Sequence, residues 1–172
     1  MNDLVTDLDT IKRISRKEED ENWEFRTFLK IHDWSDSKLD AAVHEINRKV
    51  SSQIDCQKCG NCCATLRAGI TRADSVRLAN RLLIGLPVFQ KRYVETDDEG
   101  DKVMNQNPCP FLEGTRCSVY EDRPESCRSF PHLHKPRFRS RLIGVILNTS
   151  VCPIVFNVLR ELKRQTKWRP SR

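Results

Sequence analysis

The chain has no long apolar run and no recognisable export signal. Its most apolar stretches, Leu142–Leu147 and Val151–Val155, are far shorter than the roughly 20 residues that a membrane-spanning helix needs. The first residues, MNDLVTDLD, are acidic and contain no apolar segment. We therefore expect a cytoplasmic protein that does not enter a membrane. Thiols are kept reduced in the cytoplasm, which favours metal binding over disulfide formation for clustered cysteines.

Motifs of nucleotide and acyl-transfer chemistry are also missing. The chain contains no glycine-rich phosphate loop, so nucleotide chemistry is unsupported. Its serines lack the nucleophile-elbow pattern, and the C-x3-C-x2-C spacing of radical enzymes does not occur. No internal repeat, low-complexity block or Gly/Ser linker divides the 172 residues, a length that suits one domain with a real core.

Acidic side chains are scarce in the last quarter of the chain. Residues 128–172 carry 11 basic and 1 acidic side chain, whereas residues 1–50 carry 9 basic and 12 acidic ones. The basic segment could bind nucleic-acid phosphates or an acidic protein partner, or it could be a solvated face that balances the acidic head. No recognised nucleic-acid-binding fold accompanies it, which makes nucleic acid the less favoured partner.

Apolar spacing predicts helices along most of the chain. Residues 1–34 show loose helical spacing, which indicates helix that docks weakly or frays. A capping box at Ser37 and an apolar stripe predict a helix to about Gln53. Thr71 is expected to cap a further helix, which Gly85 can end.

Two prolines and one polar turn predict the remaining elements. Pro87 opens a short helix through Tyr93. Pro153 opens the final helix, whose predicted apolar stripe is Ile154, Val155, Val158, Leu159 and Leu162. The flanks of the polar turn at 96–101 predict a small hairpin, and Leu142–Leu147 is predicted to be a strand. The expected fold class is mostly α with small β hairpins (α+β), in a single irregular domain organised around a cysteine metal centre.

Cysteine is what the chain has in excess, and four of its eight cysteines lie in a C-x-x-C-x-x-C-C run. The candidate metal ligands are Cys56, Cys59, Cys62, Cys63, Cys109, Cys117, Cys127 and Cys152. Three thiolates at x-x spacing converge as cubane iron–sulfur clusters commonly require, whereas structural zinc more often takes two separated pairs. The long gaps between the later cysteines fit either metal, and the dense run favours an iron–sulfur cluster over zinc.

The adjacency of Cys62 and Cys63 bears on how the thiols are shared. Neighbouring side chains tend to diverge, so one of the two is expected to serve a second centre, a hydrogen bond or redox chemistry. Eight thiols could form two four-cysteine sites, or one cluster with spare thiols.

The cysteine pattern resembles that of the YkgJ-type, or CxxCxxCC, cysteine-cluster family. The resemblance rests on CQKCGNCC at 56–63, on CPFL at 109–112 and on CSVYEDRPESCRSFP at 117–131, and it covers about residues 55–156. All eight cysteines match by position. The resemblance implies zinc or iron chelation, and some relatives are flagellin lysine N-methylases that use an iron–sulfur centre. It suggests an acidic helical extension at 1–54, a cysteine-cluster domain at 55–156 and a basic C-terminal helix and tail at 157–172.

Several residues near the cysteines are candidates for supporting roles. Arg128, beside Cys127, is expected to offset the negative charge of thiolates on a metal, and Arg123 could do the same or lie in an acidic surface turn. Cys152 precedes a helix start, where amide groups stabilise a thiolate. His132 and His134 would share one side of an extended segment, but they are better explained as solvated residues of a basic loop.

Three functions are compatible with these observations. The preferred one is a metal-binding protein that holds zinc or an iron–sulfur cluster through its cysteines, without an established reaction. The second is an iron–sulfur enzyme or accessory subunit related to flagellin-type lysine N-methylation or to electron transfer. The third is a thiol-redox or metal-delivery protein in which Cys62 and Cys63 exchange ligands or disulfides.

Overall fold

The computed structural model describes residues 4–171, whose contacts divide them into two units. One unit comprises the residues up to Asp55 and from Pro131 onward, and the other is Cys56–Phe130. The chain is 60% helical, with 7% in small antiparallel strand pairs, which confirms the mostly-α class with small hairpins. The boundaries expected after residues 54 and 156 stay predictions.

The helices and strands follow one another in short segments. The helices are α1 (Leu8–Lys17), α2 (Glu19–Ile31), α3 (Asp36–Ser51), α4 (Cys56–Cys59), α5 (Asn61–Thr65), α6 (Arg72–Arg81), α7 (Leu86–Tyr93), α8 (Glu125–Ser129), α9 (Leu142–Leu147) and α10 (Pro153–Gln165). The strands are β1 (Val94–Thr96), β2 (Lys102–Met104), β3 (Leu112–Glu113) and β4 (Arg116–Cys117). Single 3-10 turns occupy Tyr120–Asp122, Phe138–Arg141 and Asn148–Ser150.

The N-terminal helices are firmly packed, so the prediction of weak docking is wrong. Asp7 caps α1 by accepting a hydrogen bond from the Thr10 amide at 2.8 Å. Ile11 of α1 and Phe25 and Leu29 of α2 are each 0% exposed. The loosely spaced apolar residues are sufficient to hold α1 and α2 in place, because three large side chains are fully buried and remove much apolar area from water.

Helices α3 and α10 form the centre of this unit and pack against each other. The predicted stripe of α3 is buried, although Ser35 rather than Ser37 caps the helix, accepting from the Lys38 amide at 3.2 Å. Pro153 begins α10 as predicted, and the predicted apolar stripe of α10 is buried. The structure therefore confirms both helices from their apolar periodicity.

The segment Leu142–Leu147 is a helix, so its prediction as a strand is wrong. Leu142, Val145 and Ile146 are buried, whereas Ile143 and Leu147 are 50% and 62% exposed. Burial at positions i, i+3 and i+4 is the pattern of a helix face. A run of six apolar residues shows no polar positions, so the sequence alone does not reveal this periodicity.

The Cys56–Phe130 unit is built on a helix pair and a hairpin. Thr71 and Asp74 form a capping box at the start of α6, which confirms the predicted cap. Helix α6 ends at Arg81, and Gly85 caps the start of α7 rather than ending α6, so that detail of the prediction is wrong. Strand β1 pairs antiparallel with β2, which confirms the predicted hairpin.

The core of this unit lies between the α6–α7 pair and the hairpin. Its enclosed members are Ile70, Leu78, Ala79, Phe89, Met104, Phe111 and Val119. Gly69 forms an antiparallel bridge with Val103, so the chain that follows the cysteine run lies along β2. Ile70 follows the cysteine run and Phe111 lies between Cys109 and Cys117, so the core holds both of these cysteine-bearing segments in place.

The helices of the described chain are short relative to the thickness of a bilayer. No single helix in residues 4–171 has both the length and the apolar composition of a span. The helices at Phe138–Ser150 and Pro153–Gln165 meet the criteria only as a pair, with a bend of 120° between them.

Candidate metal centre

The C-x-x-C-x-x-C-C run forms two short helices joined by a glycine. Helix α4 places Cys56 and Cys59 one turn apart, and α5 carries Cys62 and Cys63. Gly60 joins them with φ of +61°, a conformation that favours glycine. A Cβ atom on Gly60 would lie 2.7 Å from the Thr115 carbonyl oxygen, so the glycine also permits close approach to the β3–β4 turn.

The second group of cysteines is carried by the β3–β4 hairpin and the chain before it. The Cys109 amide donates to the carbonyl of Cys63 at 2.8 Å, which joins the two cysteine-bearing segments through their backbones. Strand β4 ends at Cys117, and Leu112 pairs with it in β3. Helix α4 also contacts β4, so distant parts of the sequence meet here.

Cys127 lies on the five-residue helix α8. Its amide donates to the Pro124 carbonyl at 2.9 Å, and the neighbouring Ser126 hydroxyl donates to the Gly69 carbonyl at 2.8 Å. The second of these bonds attaches α8 to the chain just after the cysteine run. Cys127 is therefore brought into the same unit as the six cysteines from Cys56 to Cys117.

Four of these thiols lie within electrostatic reach of one another: Cys63, Cys109, Cys117 and Cys127. Burial raises the pKa of Cys109 and Cys117, and the charge of Cys63 raises both further. Burial raises the pKa of Cys127 to about 12, with contributions from the other three thiols. Each of the six pairs thus interacts, and the four sulfurs form one group.

Backbone amides already point at two of these sulfurs. The Phe111 amide hydrogen bonds the Cys109 thiol, and the Val119 amide hydrogen bonds the Cys117 thiol. Both are donors two residues after the cysteine, and each lowers the pKa of its thiol in opposition to burial. Amide donors to sulfur stabilise the thiolate, which is the form that binds metal.

The adjacent side chains of Cys62 and Cys63 do not diverge as expected. Their sulfur atoms lie 4.0 Å apart, and the hydrogen bond from Cys62 lowers the pKa of Cys63 to about 7. Zinc–sulfur bonds of about 2.3 Å in a tetrahedron place sulfurs about 3.8 Å apart. The 4.0 Å separation is close to that edge, so adjacency does not prevent the two thiols from sharing one ion.

The chemistry of the donor set fits a thiolate-bound metal. The four interacting sulfurs are soft donors, and all eight cysteines carry thiols. No group of three or more His, Cys, Asp or Glu side chains within residues 4–171 already lies at ligating distances. Closure on an ion would therefore require the sulfurs to approach one another.

The two candidate arginines have different surroundings. The charge of Arg123 lowers the pKa of Cys117, although burial raises it overall. The guanidinium of Arg123 lies 3.6 Å from the centre of the Tyr120 ring and donates to the Tyr120 carbonyl at 2.7 Å. Arg128 is exposed and donates to the Glu121 carbonyl. Its predicted effect on the metal stays a prediction.

The remaining predicted residues lie in the other unit. Cys152 is buried at the start of α10, and its amide donates to the Asn148 carbonyl at 2.9 Å. Its role as a ligand stays a prediction. His132 has φ of +61° within a turn, so the extended H-x-H arrangement with His134 is not formed.

Part of the basic segment is used inside the fold. Arg139 donates to the Trp34 carbonyl at 2.6 Å and pairs with Asp36 at 2.7 Å. Arg141 donates to the His132 carbonyl at 2.7 Å. These guanidinium groups are committed to backbone and carboxylate acceptors, which favours the structural interpretation of this stretch over phosphate binding.

Sequence reasoning missed the role of two residues of α6, Asp74 and Arg77. Asp74 is 1% exposed and pairs with Arg77 at 2.6 Å. The only sequence signal was the capping box, because their other partners lie 45 to 51 positions further along the chain.

Comparison with known proteins identifies a family. The family model named CxxCxxCC, described as a "Putative zinc- or iron-chelating domain", matches residues 55–153. No curated protein and no solved structure shows significant similarity to the chain. The match includes all eight cysteines and covers more than half of the chain. The chain therefore belongs to the CxxCxxCC family.

Proposed function

We propose that the Cys56–Phe130 unit binds a metal through four thiolates, those of Cys63, Cys109, Cys117 and Cys127. The observation that carries this proposal is the mutual electrostatic interaction of these four buried or half-buried thiols. Four thiolates in one place would repel one another, so these thiols keep their protons until a cation takes the place of the protons. Cys56, Cys59 and Cys62 lie beside this group on α4 and α5 and can complete or exchange with it.

The metal contributes to folding in this proposal. It would join the α5 segment, the β3–β4 hairpin and α8, which are otherwise held by a modest core. Binding of a metal to deprotonated thiols releases free energy that appears as folding stability. The chain's own part is to bring the sulfurs together, to supply amide donors to two of them and to limit the access of water.

An iron–sulfur cluster is the metal centre that we favour, because the C-x-x-C-x-x-C run beside the four thiols adds three closely spaced sulfurs, those of Cys56, Cys59 and Cys62, which can replace members of the four. Protein purified without oxygen should then contain iron and inorganic sulfide and absorb visible light. If the purified protein is colourless and contains zinc, the proposed metal-binding function holds, but the metal is zinc and not an iron–sulfur cluster. Protein that contains neither iron nor zinc, and takes up neither, would contradict the proposal.

Serine substitutions test the ligand set. We expect Cys63→Ser, Cys109→Ser, Cys117→Ser and Cys127→Ser each to reduce bound metal by at least about tenfold at a fixed chelator concentration. Cys152→Ser is the matched comparison, because Cys152 belongs to the predicted set of eight ligands but not to the proposed group of four. If metal content falls equally in all five variants, the four-thiol grouping is wrong and the eight-cysteine prediction gains support.

Thiol chemistry is a second candidate function, and one observation favours it. The sulfurs of Cys62 and Cys63 are 4.0 Å apart, and the pKa of Cys63 is lowered to about 7. A substantial thiolate fraction at neutral pH makes a cysteine nucleophilic. In metal-free protein at neutral pH, an alkylating reagent should label Cys63 faster than Cys109 or Cys127. Equal labelling rates would remove this candidate.

The other expectations remain proposals. We propose a cytoplasmic location and an acidic protein as the more suitable macromolecular partner of the basic segment. An iron–sulfur activity related to protein lysine methylation or to electron transfer stays a prediction from the family resemblance.

A further inference from the structure

A buried carboxylate on α6 contacts the segment that leads to Cys127. Asp74 is 1% exposed, and one oxygen accepts from the amide and hydroxyl of Thr71 at 2.9 and 2.6 Å. The other oxygen accepts from Arg77 at 2.6 Å and from the Glu125 amide at 3.1 Å. Burial opposes ionisation, but these hydrogen bonds lower the pKa of Asp74 below its usual value. The carboxylate is thus ionised and fully partnered, and Glu125 belongs to the first turn of α8.

Arg77 holds the same segment through its backbone. The Nε of Arg77 donates to the Asp122 carbonyl at 3.1 Å, and Nη2 donates to the Arg123 carbonyl at 2.9 Å. Nη2 also donates to Asp74. A planar guanidinium can satisfy three acceptors at once in a fixed arrangement, which a lysine ammonium on a flexible chain does much less well.

The atoms held by this pair lie immediately before a proposed ligand. The Asp122 and Arg123 carbonyls and the Glu125 amide span the junction between the 3-10 turn and α8. Cys127 follows Glu125 by two residues within the same short helix. Fixing the junction therefore fixes where α8 begins and the direction in which Cys127 leaves it.

We infer that Asp74 and Arg77 are positioning residues for the metal centre, which hold α8 so that Cys127 lies within reach of Cys63 and Cys109. This inference rests on the proposed metal-binding function. The pair acts through the backbone of the ligand-bearing segment rather than on the sulfur. Loss of such supporting contacts typically weakens metal binding by roughly 10- to 100-fold.

The experiment uses the full chain with Zn²⁺ as the probe, and compares Arg77→Met with a control on the same helix. Arg81 pairs with the Asp122 carboxylate at 3.6 Å, and its side chain is 57% exposed. Arg81→Met therefore removes a cation near the same segment without removing a backbone contact. By chelator competition, we expect Arg77→Met to bind Zn²⁺ roughly 10- to 100-fold more weakly. Arg81→Met should bind as the wild type does.

A second readout separates positioning from general destabilisation. At saturating Zn²⁺, alkylation followed by mass spectrometry gives the labelling rate of each cysteine. In Arg77→Met we expect the labelling rate of Cys127 to rise about tenfold, which matches the lower end of the expected loss of Zn²⁺ affinity. Cys63 and Cys109 should stay protected. An equal rise at all three cysteines would overturn the inference, because it would mean that the unit as a whole had loosened.

Two further outcomes keep the inference falsifiable. If wild-type protein binds Zn²⁺ and Arg77→Met binds it equally tightly with Cys127 still protected, the inference alone is overturned. If wild-type protein binds neither Zn²⁺ nor iron, the proposed function and this inference both fail. Should Arg77→Met not fold, Arg77→Lys keeps the charge beside Asp74 and loses part of the fork. Arg77→Lys should then lose less affinity for Zn²⁺ than expected for Arg77→Met, and only Cys127 should be labelled faster than in the wild type.

Discussion

Gly60 is held in place by two independent constraints. Its φ of +61° is unfavourable for residues with a Cβ, and an added Cβ would lie 2.7 Å from the Thr115 carbonyl oxygen. We expect Gly60→Ala to lower the free energy of unfolding by roughly 2–4 kcal/mol, from backbone strain of about 1–2 kcal/mol and overpacking of similar size. Urea denaturation of the chain would measure this loss.

Gly114 provides the matched control for Gly60. Its φ is +62°, but no atom of the described residues lies within 4 Å of the position that a Cβ would occupy, so only the conformational cost remains. Gly114→Ala should therefore cost only the backbone strain of about 1–2 kcal/mol, without the overpacking expected at Gly60. If the two substitutions destabilise the protein equally, close packing of α4 and α5 against the hairpin turn is not what requires glycine at position 60.

Leu83 is a non-glycine residue in a position that favours glycine. It has φ of +54° and is 92% exposed, just after the end of α6. The Leu83 amide donates to the Asn80 carbonyl and the Ile84 amide to the Ala79 carbonyl, which is the Schellman arrangement. We expect Leu83→Gly to raise the free energy of unfolding by roughly 0.5–1 kcal/mol, because glycine removes the Cβ strain and the leucine buries little surface.

Substitution by alanine distinguishes strain from exposure at this position. Leu83→Ala removes the exposed apolar side chain and keeps the Cβ, so its stability should stay within about 0.5 kcal/mol of the wild type. Thermal denaturation of both variants checks this. Equal stabilisation by glycine and alanine would show that the backbone conformation of Leu83 carries no strain.

At the scale of helices and strands, the sequence predicted those elements whose start or pairing is determined by residues only a few positions apart. The Thr71 capping box, the Pro153 helix start and the β1–β2 hairpin are each set by residues within a few positions, and each was predicted correctly. The prediction of a strand at Leu142–Leu147 was wrong because the residues that pack against α9, and not local signals, decide that this segment is helical. Uniformly apolar segments take their structure from tertiary neighbours.

The same distinction between local signals and contacts of distant segments applies to the candidate site. Residue type and spacing predict that the cysteines are metal ligands, since a dense C-x-x-C run favours metal binding, and this ligand set stays a prediction. The grouping of Cys63 with Cys109, Cys117 and Cys127 depends on hydrogen bonds between segments up to 57 residues apart. For the same reason, Asp74 and Arg77 had no sequence signal beyond a helix cap.

Arg139 contributes several hydrogen bonds to the link between α2, α3 and the 3-10 turn at Phe138–Arg141. Arg139 is only 17% exposed; it pairs with Asp36 and donates to the carbonyls of Trp34 and Leu29. Arg139→Lys should lower the free energy of unfolding by roughly 2 kcal/mol, because a lysine leaves buried carbonyls without a donor. Chemical denaturation would measure the loss.

Arg48 is the control for that substitution. It forms an ion pair with Glu45 at 3.0 Å, but its side chain is 73% exposed. Arg48→Lys should change stability by less than about 0.5 kcal/mol. A loss of the same size in both variants would mean that the buried carbonyl contacts of Arg139 do not stabilise the fold.

At the scale of the whole chain, the uneven charge distribution has a structural explanation. From Pro131 onward, the basic C-terminal segment belongs to the same unit as the acidic N-terminal segment. Within it, Lys163 lies 3.8 Å from Glu18, Arg139 lies 2.7 Å from Asp36, and the Ser171 amide donates to Glu24. Two basic side chains of the C-terminal segment, Arg139 and Lys163, therefore meet acidic partners in the N-terminal segment, which favours charge balance over phosphate binding for these two residues.

Metal binding and protonation are linked through the four proposed ligands. Burial raises the pKa of Cys109, Cys117 and Cys127, the last to about 12, so these thiols are protonated at neutral pH in the metal-free protein. The hydrogen bond from Cys62 lowers the pKa of Cys63 to about 7. A metal binds thiolates, so it must displace the protons that remain, and its affinity falls as the pH is lowered.

The number of protons released should therefore depend on pH in a defined way. We expect about four protons per metal at about pH 6, where Cys63 is mostly protonated, and about three at about pH 8, where it is mostly ionised. Calorimetric titration with Zn²⁺ in buffers of different ionisation enthalpy measures these numbers. Cys62→Ala removes the hydrogen bond that lowers the pKa of Cys63, so this variant should release about four protons at both pH values. If the wild type releases the same number at both pH values, Cys63 is not one of the titrating ligands and the four-thiol centre is wrong.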